Sequence, residues 1–335
     1  MAFKDIKGQE RAVEFLRNSV NRERLSHAYL FCGPEGLGKT MLAKNLAKFL
    51  NCEDPLKEGA LFIDCCDSCL SCRKINDFNH PDVHWLTRGG NARNISIDEI
   101  RLLQKEISLK AYEGRFKFFI IQDAHQMSEQ AANCLLKTLE EPPVFSVIIL
   151  IAVNIRGLLP TIISRCQLVK FYPLPYERLK DILSVNYGMN SDDVRFLSAA
   201  SEGRIGQALR LKDQDTFKEK NRLIEEVCLL NPGGVKRQAS FNAFNIKDKK
   251  KLATQIRYLL NWFRDILIFK IRLPEYFIIN ADRMEAIKSR AAFYTFEDLE
   301  QIIAKIDQAH RLIEQNVNRK LALEVMLGEI ARCRK

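Results

Sequence analysis

The sequence predicts an α/β protein whose parallel sheet is covered by helices on both faces. A cysteine-rich module is inserted in it, and a small helical unit and an all-helical C-terminal region follow. Three observations predict this. Apolar runs at Ala28–Cys32, 116–121 and 147–153 alternate with amphipathic segments, the pattern of parallel strands buried on both faces and joined by crossover helices. Residues 33–40 read GPEGLGKT, a match to G-x-x-x-x-G-K-[ST] placed between the first of those runs and a helical segment, MLAKNLAKFL. From about residue 213 onward no strand pattern is present, and long amphipathic segments dominate.

In chain order, residues 3–24 read as a short turn at Asp5, Lys7 and Gly8, then a helix with its apolar face on Val13, Leu16 and Val20. The first strand runs into Gly33, Pro34, Glu35, Gly36, Leu37, Gly38, Lys39 and Thr40. Glycines there let backbone N–H groups turn inward around phosphate oxygens, which side chains would obstruct. The following helix adds its positive N-terminal end. In such a loop Lys39 reaches the β- and γ-phosphates and the Thr40 hydroxyl sits on Mg²⁺, so ATP or ADP with Mg²⁺ is the expected ligand. The competing reading, a glycine-rich turn with a fortuitous lysine, does not explain the strand before it and the helix after it.

The helix after the loop runs to about residue 50 and is closed by Cys52. A loop with Pro55 and Gly59 follows, then Cys66-x₂-Cys69-x₂-Cys72. The chain has ten cysteines and an N-terminus charged where a signal peptide is apolar. A cytoplasmic, reducing setting is therefore expected, and clustered cysteines there suggest metal before disulfides. Zinc takes four ligands in a tetrahedron; the closely spaced triplet supplies three and Cys52 the fourth. Cys65, His80 and His84 are substitute candidates for that fourth place. An iron–sulfur reading lacks the cysteine-proline that would continue the run, which instead goes on Arg73-Lys74-Ile75-Asn76. With all four positions filled by protein, the expected Zn²⁺ is structural.

Residues 80–86 read as the next strand, and a polar loop with Gly89, Gly90 and Asn91 follows. Ser96 with Glu99 three residues later reads as a capping box opening an amphipathic helix over 98–109. The strand at 116–121 ends in Gln122-Asp123, where a phosphate-loop ATPase keeps the carboxylates for Mg²⁺ and the attacking water. A helix over 128–141 is stopped by Pro142-Pro143. The strand at 147–153, a short helix from Leu159-Pro160-Thr161 to Ser164-Arg165-Cys166, and a strand at 167–171 complete the β/α pattern.

Tyr172-Pro173-Leu174-Pro175 is a composition break and the first expected domain boundary. Residues 172–212 read as a small helical domain and 213–335 as a helical one, with long helices at 250–272 and 296–335 and a loop at Asn231-Pro232-Gly233-Gly234. The longest apolar run, 147–153, is far too short to span a membrane. A net charge of +10, from 52 basic and 42 acidic residues, fits contact with a polyanion, although no single basic run localises it.

GPEGLGKT, the Cys52/Cys66/Cys69/Cys72 set, NHPDVHWL (79–86), ANCLLKTLEEPP (132–143) and LLPTIISRC (158–166) together resemble the bacterial clamp-loader branch of the AAA+ ATPases. The resemblance covers about residues 1–210. It implies a RecA-like AAA+ domain over 1–171 with its zinc module at 52–72, a three-helix lid domain over 172–212, and a collar domain over 213–335. In that family, collars join gamma/tau-type motor subunits, a delta subunit and a further subunit into a five-membered ring. The ring places a sliding clamp on primer–template DNA in replication. Its ATP sites lie between neighbours, one binding ATP and the next inserting an arginine from its SRC motif. By position Arg165 is that arginine finger, a group that stabilises charge on the transferring phosphoryl. From local sequence alone, Arg165 reads as a surface ion pair at a helix end.

The departures from the motor pattern are informative. Gln122-Asp123 stands where motors carry Asp-Glu. Ala152 or Val153 replaces the polar sensor, and Gly206 falls at the lid arginine, with Arg204 two positions away. The expectation is a subunit that binds nucleotide weakly or statically, hydrolyses little or none, and supplies Arg165 in trans. A gamma/tau-like motor with Asp123 as its catalytic carboxylate is the alternative. A DNA-gripping cysteine knuckle is a third reading, weakened because CDSCLSCRK (66–74) carries Asp67 and only two basic residues.

Overall fold

A computed structural model describes residues 2–87, 94–213, 216–228, 243–315 and 317–333. The expected loops at Gly89–Asn91 and 231–234 lie outside the described residues. The chain divides into two compact units, Met1–Leu174 with Arg204–Gly206, and Pro175–Gly203 with Gln207–Lys335.

In the first unit, α1 (Glu10–Asn21) precedes β1 (Ala28–Cys32), and α2 (Lys39–Asn51) follows the glycine loop. The insertion contains a small antiparallel hairpin, β2 (Leu56–Glu58) and β3 (Leu61–Asp64), then α3 (Leu70–Asn76). Next come β4 (Val83–Leu86), α4 (Ile97–Ile107), β5 (Lys117–Ile121), α5 (Glu129–Glu140), β6 (Ser146–Ala152), α6 (Pro160–Ile163) and β7 (Gln167–Lys170). The main sheet is parallel with strand order β4-β5-β6-β1-β7.

Strand periodicity explains why these runs are apolar at almost every position, Lys117 at the start of β5 being the exception. Tyr29, Phe31, Phe118, Ile120, Val147 and Ile149 face one layer with Leu16, Leu42 and Leu46. Their sequence neighbours Leu30, Phe119, Ile121, Ile148 and Leu150 face the other, with Ile100, Leu103, Leu135 and Leu139. Each such side chain contributes about 1.5–3 kcal/mol by leaving water. The Ser96 capping box is present: its hydroxyl accepts from the Glu99 N–H at 3.3 Å, and Glu99 accepts from the Ser96 N–H at 2.7 Å.

The strand expected over 80–86 begins only at Val83. Asp82 is taken out of it because its buried carboxylate accepts N–H bonds from Tyr112, Glu113 and Gly114 at 2.7, 2.8 and 2.7 Å. Burial opposes ionisation of Asp82, but the three donors win and hold its carboxyl below the ordinary carboxylate value. The hairpin β2–β3 stands where the sequence predicts a loop, because three- and four-residue strands are too short to show periodicity.

The second unit is helical among its described residues. α7 (Tyr176–Tyr187), α8 (Ser191–Ser201) and α9 (Ile205–Asp213, its first two residues counted with the first unit) precede α10 (Thr216–Cys228) and α11 (Lys249–Lys270). Then come α12 (Met284–Ala291), α13 (Phe296–Glu314) and α14 (Arg319–Arg332). α11 buries Leu252, Ile256, Leu259, Phe263 and Ile266, a helical stripe, and packs on α10, α12 and α13. The single helix expected over 296–335 is two. Asn318 interrupts it by accepting from the Lys320 and Leu321 N–H groups at 3.1 and 3.3 Å, which opens α14. Among the described residues no helix is long and apolar enough to cross a membrane.

Candidate nucleotide and metal sites

The glycine loop leaves the C-terminal edge of the sheet, where open α/β sheets bind ligands. Gly33 N–H donates to the Ala152 carbonyl at 3.2 Å, and a Cβ on Gly33 would come within 2.4 Å of the Phe171 carbonyl oxygen. Gly38 takes a left-handed conformation, φ 87°, as the N-cap of α2. Leu37 is buried and anchors the loop in the core. Pro34, Glu35, Gly36 and Thr40 are half-buried around it. Lys39 is 7% exposed and folds back on its own loop, donating to the carbonyls of Gly33 and, at 2.6 Å, Pro34. Burial lowers its pKa, while the charges of Glu35, Cys32 and Asp123 pull it up.

Asp123 stands two residues past β5, at the sheet edge that the glycine loop leaves. Gln122 extends the strand edge, its N–H donating to Leu86 at 2.9 Å, and Asp123 adopts a left-handed φ of 51°. At the end of β6, Ala152 is buried and Val153 half-buried, and neither side chain offers a hydrogen bond. Asn154 is the first polar side chain beyond the strand; it is exposed, and its Oδ1 accepts from the Arg156 N–H at 3.0 Å. Gly206, in the same compact unit as the loop, donates its N–H to the Gly36 carbonyl at 2.9 Å. A Cβ on Gly206 would stand 3.1 Å from the Cα and O of Gly36, so no arginine fits there without moving the loop.

Arg165 lies at the other edge. It precedes β7, whose Gln167 pairs with Tyr29 and whose Lys170 pairs with Cys32, so about 10 Å of strand separates the level of Gln167 from the end of β1. Its Nη2 pairs with Glu140 Oε1 at 2.6 Å and its Nη1 donates to the Thr161 carbonyl at 3.1 Å; the side chain is 36% exposed. The fold therefore does not bring Arg165 to the chain's own phosphate loop.

The cysteines converge. Ligand atoms of Cys52, Cys66, Cys69 and Cys72 all lie within 4.8 Å of one another. Cys52 Sγ is 3.5, 4.0 and 3.7 Å from the sulfurs of Cys66, Cys69 and Cys72. A tetrahedron with Zn–S bonds of about 2.3 Å has S···S edges of about 3.8 Å, so the donor set is consistent with a structural zinc site. Backbone N–H groups of Cys66, Cys69 and Cys72 point at the sulfurs of Cys52, Cys66 and Cys69 at 3.3, 3.3 and 3.4 Å. The substitute ligands are otherwise engaged. His80 Nδ1 accepts from the Asp82 N–H at 3.1 Å, and His84 stacks on Phe119 at 4.7 Å. Buried Cys65 lies outside the four-residue set. The module is tied to the rest of the unit by Asp64, which accepts from the Phe3 and Lys4 N–H groups, and by buried Lys48 on Asp67 at 2.6 Å.

A family model described as DNA polymerase III, delta subunit, matches residues 8–175, and a model of the C-terminal part of that subunit matches 214–332. The chain is 34% identical over 319 residues to DNA polymerase III subunit delta' of Bacillus subtilis, covering 92% of each. It is 32% identical over 291 residues to subunit tau of the same bacterium, covering 80% of this chain and 50% of that one. A Thermotoga maritima gamma subunit-related protein of known structure aligns with TM-score 0.47 at 19% identity, over 97% of this chain and 100% of that one. The chain belongs to the delta-prime subunit family of the DNA polymerase III clamp loader.

Proposed function

We propose that this chain helps load the sliding clamp onto primed DNA as a trans-acting subunit, presenting Arg165 to the ATP site of a neighbouring gamma/tau-type motor. The observation that carries this reading is the placement of Arg165. It stands at the N-terminal edge of the parallel sheet, away from its own loop, on a partly exposed surface. A neighbour's phosphoryl group is the target such a guanidinium serves, by stabilising charge that develops in transfer.

Cis hydrolysis has poor support. Gln122 offers no carboxylate for Mg²⁺, Ala152 and Val153 offer no hydrogen bond, and a side chain at Gly206 would press on the backbone of Gly36. The loop from Gly33 to Thr40 would hold ATP or ADP with Mg²⁺ statically, Lys39 exchanging its carbonyl partners for phosphates. Zn²⁺ on Cys52, Cys66, Cys69 and Cys72 would crosslink the end of α2 to the insertion and leave no open position for chemistry.

Residues 1–171, 172–212 and 213–335 are assigned as AAA+, lid and collar domains. Exposed Leu321 and Val325 on α14, opposite buried Leu323, Met326 and Leu327, suit a collar packing against partner subunits. Those partners are the motor subunits and delta in a five-membered ring, with the clamp and primer–template DNA engaged by the assembly. One observation favours a motor reading: Asp123 stands just past the end of β5, where a phosphate-loop ATPase places a catalytic carboxylate.

The test is ATP hydrolysis by the purified chain alone, and then with motor subunits, clamp and primed DNA. Trans action gives no turnover alone and an Arg165-dependent rise in the mixture. Lys39-dependent turnover by the lone chain would make it a motor.

A further inference from the structure

We propose that Glu140 is a positioning residue for Arg165, holding the guanidinium in the orientation it presents to a neighbouring subunit; this rests on the trans-acting reading of Arg165. Two acceptors grip the guanidinium on one side. Glu140 Oε1 takes Nη2 at 2.6 Å, and the Thr161 carbonyl takes Nη1 at 3.1 Å. A guanidinium carries five N–H donors in a planar fork, so two bonds from neighbouring elements orient the plane while the remaining donors stay available for phosphoryl oxygens. The grip spans two elements, because Glu140 ends α5 and Thr161 lies in α6.

The location of Glu140 points the same way. It is the last residue of α5, followed by Glu141 and Pro142, so two carboxylates crowd the negative end of the helix dipole. A carboxylate there is unfavourable for the helix. Helix stability therefore does not explain this residue, and Arg165 is the cation paired with it. Both side chains are partly exposed, 36% for Arg165 and 49% for Glu140. A pair so exposed adds little to folding stability, which leaves orientation of the arginine as its effect. Since rates depend steeply on the placement of a charge-stabilising group, loosening this one lowers turnover without weakening ATP binding.

The experiment uses the full-length chain assembled with motor subunits, clamp and primed DNA, comparing wild type, Glu140→Ala, Glu140→Gln and Arg165→Ala. Steady-state ATPase is measured over a range of ATP concentrations, and each variant's thermal midpoint and incorporation into the complex are recorded. Glu140→Ala is expected to lower kcat about five- to tenfold with KM, midpoint and assembly unchanged. Glu140→Gln is expected to restore most of the rate, because its amide oxygen accepts the same hydrogen bond. Unchanged or increased turnover in Glu140→Ala, with Arg165→Ala impaired, overturns the positioning role alone. An Arg165→Ala complex as active as wild type overturns the trans-acting reading beneath it. Loss of assembly or a lowered midpoint in Glu140→Ala assigns the residue a structural role and overturns the proposal.

Discussion

The two edges of one parallel sheet are built in opposite ways. At the C-terminal edge the phosphate loop is turned in on itself, with Lys39 bound to carbonyls of its own loop and the Gly206 backbone bonded to Gly36. At the N-terminal edge Arg165 is held by Glu140 and Thr161 yet remains partly exposed, while Asp82 ties down the turn at 112–114. At the loop edge Gln122, Ala152 and Gly206 are uncharged, and the polar groups beyond the strands are Asp123 and Asn154. The opposite edge presents one charged group on a stiff support.

The largest expected effect breaks that contrast directly. On the proposed trans role, Arg165→Ala should cost a neighbouring motor site about a thousandfold in turnover, measured in the assembled loader, while the lone chain's midpoint stays within about 2 °C. Equal turnover with and without Arg165 would leave the exposed edge with no catalytic part.

Removing metal probes the joint between the edges, because α2 begins at the loop and ends at Cys52. Chelation, or Cys52→Ser, should release one zinc per chain to a chromogenic indicator and lower the thermal midpoint by about 10 °C or more. No zinc release from freshly purified protein would contradict the structural role.

Asp82→Asn tests the rigid edge and carries a pH signature. The folded carboxyl lies below its ordinary value, so its contribution is fully present above the unfolded pKa of about 3.9 and disappears as pH falls through the lower folded value. The variant should be about 2–4 kcal/mol less stable from pH 8 down to about 5, with the gap narrowing below about pH 4. A gap independent of pH would mean the carboxylate is not what the three N–H groups need.

The smallest effect sharpens the loop edge. Gly206→Arg should lower stability by about 1–3 kcal/mol, because its Cβ presses on Gly36, and should confer no hydrolysis on the lone chain. Hydrolysis gained by this one change would show that only the lid arginine had been missing.

Much of the fold was legible in sequence where local physics dominates. The run at 147–153 is apolar at every position because β6 is buried on both faces. Ser96 and Glu99 announced a helix start, and CxxCxxC places three sulfurs near one point without help from distant residues. Legibility failed where a distant or polar partner decided. Nothing around His80-Pro81-Asp82 reveals that Asp82 will capture N–H groups thirty residues away. The hydrophobic period of 296–335 runs through the break that Asn318 makes, so one helix was read where two exist.

The sequence by itself determined the strands of the main sheet apart from the start of β4, the glycine-loop motif, the cysteine set and the uncharged residues at Gln122, Ala152 and Gly206. These follow from residue type, spacing and short-range sterics. Only the tertiary structure decided that the Gly206 backbone meets Gly36, that Cys52 and not His80 or His84 joins the other three cysteines, and that Arg165 stands on Glu140 at the far edge from its own loop. Those facts depend on strand order and parallel register, which bring together residues far apart in the chain through packing that no local pattern encodes.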